Sequence, residues 1–203
     1  MIRVLTVLER DFTETKHQAS LGFKSTLAQL MNCILVPMIV NALIKQKIYD
    51  QNGLAADVFM LGMTTAFVGP ALKFFDPGYI INRLLKWFKS EPIRMVKMNQ
   101  TELNETCEYI MFEVGYEYIY LTNLFLFTCF FVSLQPIIAI TSTVGIFCMY
   151  WAQKYAIFNR MKRPVPGTDT INVAMFQLIY LGGVFYSLGA LTWSNFFPTG
   201  YPR

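Results

Sequence analysis

The sequence has 203 residues, of which 54% are hydrophobic and 15% are charged, and its formal net charge is +4. A soluble domain usually carries about 25% charged residues, so this composition argues against a soluble protein. The basic residues lie mainly between Arg83 and Lys97 and between Lys154 and Arg163, and each cluster flanks an apolar block. That pattern favours a lipid bilayer as partner and argues against nucleic acid.

Residues typical of enzymatic and metal chemistry are sparse. The four cysteines include no CxxC pair, and His17 is the single histidine. Neither a metal ion nor another cofactor is therefore predicted. The sequence has no nucleophile elbow, phosphate-binding loop or HExxH motif, so we expect no enzymatic activity.

The long apolar blocks predict an all-α fold, a polytopic membrane helix bundle of about five segments that includes a short helical hairpin. Residues 1–24 are polar and form the predicted N-terminal approach to the membrane. Residues 25–195 form the predicted membrane domain, and residues 196–203 a short tail. The predicted helices cover, in chain order, about residues 25–44, 54–75, 116–134, 137–151 and 171–193.

The first two predicted helices carry breaks. Pro37 is expected to kink the first, because proline lacks an amide donor and clashes with the preceding turn. In the second, Gly69-Pro70 is typical of a helix break, and it is either a gating hinge or only a kink. An amphipathic extension to residue 89 then alternates apolar and basic residues at helical spacing, which predicts a helix that leaves the membrane along its interface.

The block 116–151 is almost uncharged and too long for one crossing. About 36 helical residues would span roughly 54 Å, against about 30 Å of hydrocarbon. Gln135-Pro136 lies near the middle, and basic clusters flank both ends. The positive-inside rule therefore predicts two crossings joined by a turn. The arms are short for complete crossings, so a partly re-entrant hairpin is the alternative. The resulting orientation has the N-terminus inside and the C-terminus outside.

Polar residues at membrane depth are the candidate functional residues, because such groups are costly in lipid and often mark a pathway. Hydrogen bonding between packed helices is the alternative for each of them. These candidates are Asn32, Asn41, Asp57, Asn123, Gln135 and Gln177. Asp57 also suits a partner for the dipole of its helix start.

Two further sets of residues suit interhelical roles. Glu113 and Glu117 are four residues apart and share a helix face. They suit a solvated helix start, or else a cation-attracting mouth or part of a divalent site. Gly182, Gly183 and Gly189 form a small-residue face that predicts close contact with another helix.

Several stretches resemble the OSCA/transmembrane-protein-63 family of osmotically and mechanically gated cation channels. Gly53–Leu72 resembles the kinked pore helix of that family, and Phe112–Tyr120, Gln135–Ala139 and Tyr150–Arg160 resemble the hairpin that follows it. Lys162–Pro164 also fits. The order of segments matches over about residues 15–195, nearly the whole chain.

The resemblance implies a mechanosensitive, calcium-permeable pore. It places Gly69 and Pro70 at the pore hinge, and Glu113, Tyr116 and Glu117 at the start of the hairpin. Family members have more membrane helices and a cytosolic domain, and this chain corresponds only to the later half of their membrane region. Further helices are therefore expected, or else other membrane subunits or a partner chain that supplies the missing ones.

Two functions from different classes follow as predictions. The first is a channel-like membrane protein, part of a cation-permeable pore, in which Gly69, Pro70, Gln135 and Pro136 belong to the moving or pore-lining parts. The second is a structural, non-conducting accessory subunit of a larger membrane complex. A lipid scramblase is a third, weaker alternative.

Overall fold

The computed structural model describes residues 14–40, 53–89, 99–101, 112, 114–162 and 170–196. Two predicted site residues, Asn41 and Glu113, lie outside the described residues. So do residues 41–52, which hold the end of the first predicted helix and most of the polar turn after it, residues 90–98, 102–111 and 163–169, and both chain termini.

The described residues form helices and no β-strand, which confirms the all-α prediction for this part of the chain. Three stretches are long and apolar enough to cross a membrane, namely Ala19–Val40, Leu54–Ile81 and Met175–Ser194. In chain order the helical elements are α1 (Glu14–Leu30), a π-helical turn (Met31–Leu35), α2 (Val36–Val40), α3 (Leu54–Phe75), α4 (Pro77–Lys89), α5 (Val114–Phe131), α6 (Ile137–Asn159) and α7 (Thr170–Phe196).

Two helices are longer than the sequence predicted. α1 begins at Glu14 instead of near residue 25, because Ala19 packs against the buried Met175 and Leu178 of α7. α6 continues to Asn159 instead of ending near residue 151. Polar residues interrupt the apolar pattern after residue 151, but they do not end the helix, because they find partners within the fold.

The disturbance predicted at Pro37 takes the form of the π-helical turn at Met31–Leu35. Proline has no amide hydrogen for the carbonyl of Cys33, four residues earlier, and its ring crowds that carbonyl. A π turn widens the helix locally and relieves this crowding. α2 then continues from Val36.

Gly69-Pro70 does not end α3, although the dipeptide is typical of a break. Pro70 lies inside the helix, which continues to Phe75. The chain turns instead at Asp76, whose φ of 39° is in the left-handed region. The Asp76 carboxylate accepts the Tyr79 amide at 3.1 Å and so caps the start of α4.

α5 is the central helix of the fold. α7 and α1 pack along one side of it, and α3 and α6 pack against each other beside it. Tyr118 of α5 donates a hydrogen bond to Asn172 near the start of α7, and Trp193 near the end of α7 donates to the Phe130 carbonyl, so α5 and α7 run parallel. Gly62 lies near Phe127 and Gly69 near Tyr120, so α3 runs antiparallel to α5.

The core lies between these helices towards the end of α5. Aromatic rings dominate it, and Phe131 stacks on Trp193 with ring centroids 5.9 Å apart. The fully buried members include Val58, Phe127, Phe131 and Ile138. This aromatic core therefore joins α3, α5, α6 and α7 mainly through apolar contacts, with the Trp193–Phe130 hydrogen bond among them.

The outward faces of the long helices are apolar. On α7, Phe176 is 61% exposed and Tyr180 is 81% exposed, and Phe158 of α6 is 72% exposed. Soluble monomers rarely expose apolar surface on this scale. These faces suit lipid or other membrane helices.

The three glycines of α7 do not share one surface. A Cβ at Gly182 would meet Phe125, and one at Gly189 would meet the Phe130 backbone, so both glycines already pack against α5. A Cβ at Gly183 would have no neighbour within 4 Å. Only Gly183 of the three is therefore left on the outward face.

Gly189→Ala and Gly183→Ala form a matched pair for testing this packing. Gly189→Ala should lower the free energy of unfolding by about 2 kcal/mol, because the methyl group overlaps a backbone carbonyl that cannot move aside. Gly183→Ala should leave it unchanged or raise it by less than about 1 kcal/mol, the helix-propensity gain. Unfolding in mixed micelles titrated with SDS measures both. Equal effects would contradict the α5–α7 contact.

Candidate functional site

An ion pair and a hydrogen bond to the same carboxylate join three helices at one end of the fold. Lys73 of α3 pairs with Glu117 of α5 through its ammonium group and one carboxylate oxygen. Gln153 of α6 donates a 2.7 Å hydrogen bond from Nε2 to the other carboxylate oxygen. The Glu117 side chain is only 9% exposed, so its negative charge is committed to these two partners.

The helix ends favour this arrangement of charges. Lys73 lies in the last turn of α3, where the carbonyl groups carry partial negative charge. Glu117 lies in the first turn of α5, where the amide groups carry partial positive charge. The Phe112 ring covers the ammonium group of Lys73 at 5.6 Å from the ring centroid, which adds a cation–π contact.

One turn away from Lys73, Tyr120 of α5 fills a gap in the hydrogen bonding of α3. Pro70 has no amide hydrogen, so the Ala66 carbonyl loses its usual intrahelical donor. The Tyr120 hydroxyl lies 2.7 Å from the Thr65 oxygen and 3.2 Å from the Ala66 oxygen. The hydroxyl has one hydrogen, which the nearer Thr65 oxygen and the Ala66 oxygen share, so Tyr120 supplies from another helix part of the donor that Pro70 withholds from Ala66.

Two glycines make this contact sterically possible. A Cβ at Gly69 would lie 2.6 Å from the Tyr120 ring, closer than packed carbons can approach. A Cβ at Gly145 of α6 would lie 2.8 Å from the Ala66 carbonyl oxygen. Together they let α5 and α6 cover the backbone of α3 around Pro70, which keeps the helix continuous there. We call Lys73, Glu117, Gln153 and Tyr120 the polar clamp.

Arg160 closes the same end of the fold. Its Nη1 donates a 2.6 Å hydrogen bond to the Phe74 carbonyl. Its guanidinium group lies 5.1 Å from the ring centroid of Tyr79 and 4.9 Å from that of Tyr155. Arg160 thus links the end of α6 to the junction between α3 and α4.

The structure brings together only some of the residues predicted for the site. Gly69, Pro70 and Glu117 meet at the polar clamp, and Tyr116 precedes Glu117 in the first turn of α5, partly buried. Asp57 lies in the first turn of α3, about 24 Å along the helix from Lys73.

Gln135 and Pro136 form the turn between α5 and α6, at the end of the hairpin away from the clamp. The backbone amide of Gln135 donates a 3.0 Å hydrogen bond to the Phe131 carbonyl, and Pro136 precedes the first residue of α6. The side-chain oxygen of Gln135 is buried without a hydrogen-bond partner.

The sequence reasoning missed Lys73, Tyr120, Gln153 and Arg160 as site residues. Lys73 carried a usable signal, because it is a charged residue at the end of an otherwise apolar block. Tyr120 and Gln153 carried none, since their roles depend on the register between helices. Within the described ranges, no three His, Cys, Asp or Glu side chains gather into a metal-binding group.

Other polar contacts hold α5 against its neighbours. Thr128 donates a 2.6 Å hydrogen bond to Ser142 of α6. The Asn123 carbonyl oxygen and the Thr26 hydroxyl are buried without a hydrogen-bond partner.

The described residues are helical, with three helices able to cross a membrane by length and composition, and an ion pair joins α3 to α5 at one end of the fold. Comparison with protein-family models, curated proteins and solved structures finds no match to this chain.

Glu117→Gln should lower the free energy of unfolding by about 2 kcal/mol, because Lys73 loses its carboxylate. Removing one partner of a fully buried pair costs about 3–5 kcal/mol, and the Lys73 side chain is 28% exposed. The swap Lys73→Glu/Glu117→Lys should recover part of the loss seen in either of its single variants, but not all, because both charges then oppose the helix dipoles.

The control for these charge variants is Lys154→Gln, which removes an exposed lysine from α6 at the end of the fold that holds the polar clamp. It should change the free energy of unfolding by less than about 1 kcal/mol. SDS-titrated unfolding measures each variant. A swap variant no more stable than the worse of its two single variants would show that the ion pair does not stabilise the fold.

Proposed function

We propose that this chain is a multi-pass part of a cation-permeable membrane channel, with α3 as its movable helix, and that further helices or a partner chain complete the pore. The apolar outward faces, the three helices of membrane-crossing length and the resemblance to the OSCA/transmembrane-protein-63 family support this proposal. The main support is the hydrogen bonding near Pro70, where carbonyl groups of α3 accept a hydrogen bond from Tyr120 of α5.

The mechanism starts from the cost of bare carbonyl groups. If α5 moves away from α3, the Thr65 and Ala66 oxygens lose the Tyr120 hydroxyl. In lipid such groups are costly, whereas in a water-filled cavity they are satisfied. Separation of the two helices therefore favours the entry of water between them, and the gap fills with solvent as it forms.

The exposed groups suit cations. Backbone carbonyl oxygens replace the hydration shell of cations in selectivity filters, and Thr65 and Ala66 would present two of them. The same separation weakens the pairing of Lys73 with Glu117, which frees carboxylate charge at the end of the gap. Membrane tension promotes this state when the separated helices occupy more area in the membrane plane.

Tyr120→Phe tests the mechanism, because it removes the hydroxyl and keeps the ring. The loss of one hydrogen bond, worth about 1 kcal/mol, should raise the open-to-closed ratio about fivefold and lower the tension for opening. Potassium flux or patch recordings from the chain reconstituted with its co-purifying partners measure this. Tyr180→Phe, on the outward face of α7, removes the same hydroxyl at an exposed position and should behave as wild type.

Pro70→Ala should act in the opposite direction to Tyr120→Phe. Alanine restores an amide donor to the Ala66 carbonyl, so α3 no longer needs Tyr120 and gains less from hydration on opening. We expect a lower open probability at every tension, in the same recordings. Conductance unchanged in both Tyr120→Phe and Pro70→Ala would refute the proposed role of α3.

The second candidate function is a structural subunit that does not conduct. The observation in its favour is the outward face of α7, where Gly183 leaves room for another helix to approach closely. The native mass of the detergent-solubilised protein separates the candidates. Recovery with one partner that supplies membrane helices favours the channel, and recovery in a large assembly of unrelated subunits with no cation flux favours the structural role.

A further inference from the structure

α4 presents an apolar face that the rest of the described chain does not cover. Ile80, Ile81, Leu84 and Trp87 are each about half exposed or more, and Trp87 is 72% exposed. Residues 80, 84 and 87 are spaced by four and three, so they share one side of the helix. The outward residues Leu72 and Phe75 of α3 precede this face along the chain.

α4 also carries basic residues. Residues 77–89 contain Arg83, Lys86 and Lys89 and no acidic residue, and Arg83 lies one turn after Tyr79, so these two share one side of the helix. Arg83 donates a 3.2 Å hydrogen bond to the Tyr79 hydroxyl, and Arg160 covers the Tyr79 ring. Both guanidinium groups therefore lie at the side of α4 that carries Tyr79.

Further basic side chains lie at the same end of the fold. Lys154 covers the Trp151 ring at 5.3 Å, and Lys162 follows the end of α6. Trp151 is 54% exposed, so an indole and an ammonium group are presented together. Exposed indole rings combined with basic side chains are typical of the boundary between lipid tails and headgroups.

We propose that α4 lies in the headgroup layer of a membrane leaflet and binds anionic phospholipid. Ile80, Leu84 and Trp87 would enter the acyl boundary, and Arg83 with its basic neighbours would face the lipid phosphates. This arrangement satisfies both faces of an amphipathic basic helix at once. The proposal does not depend on whether the chain conducts ions.

The junction between α3 and α4 argues against the two other locations for this helix. The chain turns at Asp76, with its φ of 39°, so α4 is not a simple continuation of the spanning helix. A continuation would carry Arg83, Lys86 and Lys89 into hydrocarbon, where each charge is costly. A protein partner would need an apolar groove bordered by acidic groups. An anionic leaflet supplies apolar surroundings and negative charge side by side and needs no groove.

Trp87 reports directly on this placement. The full chain is reconstituted in phosphatidylcholine vesicles, with or without phosphatidylglycerol, that contain lipids brominated either near the headgroup or deep in the tails. The quenching of the wild-type protein minus that of Trp87→Phe isolates Trp87 from Trp151 and Trp193. We expect shallow bromines to quench Trp87 most strongly, and to do so about twofold more in acidic vesicles.

Charge variants test the anionic specificity. Arg83→Gln/Lys86→Gln should abolish the difference between neutral and acidic vesicles. Lys45→Gln/Lys47→Gln, which removes the same charge from the predicted connector between the first two segments, should preserve it. Elution of every variant at the wild-type position in detergent shows that the fold is intact.

Three results would overturn the proposal. Absent quenching in both vesicle types would place Trp87 in water or, if its emission is blue-shifted, against protein. Strongest quenching by deep bromines would make α4 part of a membrane-spanning helix. Equal shallow quenching in neutral and acidic vesicles would remove the specificity for anionic lipid.

Discussion

A carbonyl oxygen inside an apolar bundle needs a hydrogen-bond donor, and Pro70 deprives Ala66 of its usual one. Supplying that donor from Tyr120 fixes the register between α3 and α5. It also requires Gly69, because any side chain there would overlap the Tyr120 ring. The proline that weakens α3 thus determines which residue of α5 faces it and how closely the two helices approach.

The ion pair follows from the same register. Positions 66, 69 and 73 lie on one side of α3, and positions 117 and 120 lie on one side of α5. Because the two helices are antiparallel, pairing Tyr120 with Ala66 brings Glu117 to Lys73. The antiparallel packing also brings the negative end of one helix dipole next to the positive end of the other. Each charge therefore lies where both its partner and its own helix stabilise it.

The sequence predicted the order of the helices well, because long apolar blocks and the Gln135-Pro136 turn are local features. It also predicted a helix over residues 54–75 that runs through Gly69-Pro70, as the structure has it, although nothing local shows that Tyr120 supplies a donor there. It was wrong about the end of α6. Gln153 is a polar residue just after the predicted end of the apolar helix. α6 nevertheless continues through it, because the Gln153 side-chain amide donates to the buried Glu117 carboxylate. Both pairings depend on interhelical register, which no single stretch of sequence encodes.

The two ends of the α3–α5 contact differ in what holds them together. At one end, Val58 and Phe127 belong to a dry aromatic core, and separating such surfaces exposes apolar area with nothing to replace the lost contacts. At the other end, the polar clamp holds groups that water can satisfy. In the proposed opening, a force that pulls the helices apart acts on unequal ends, so we expect the clamp to separate first and the aromatic core to serve as the pivot. The cavity proposed in this way would open towards the basic end of the fold, where the loss of the Lys73–Glu117 pair leaves a carboxylate group beside the gap.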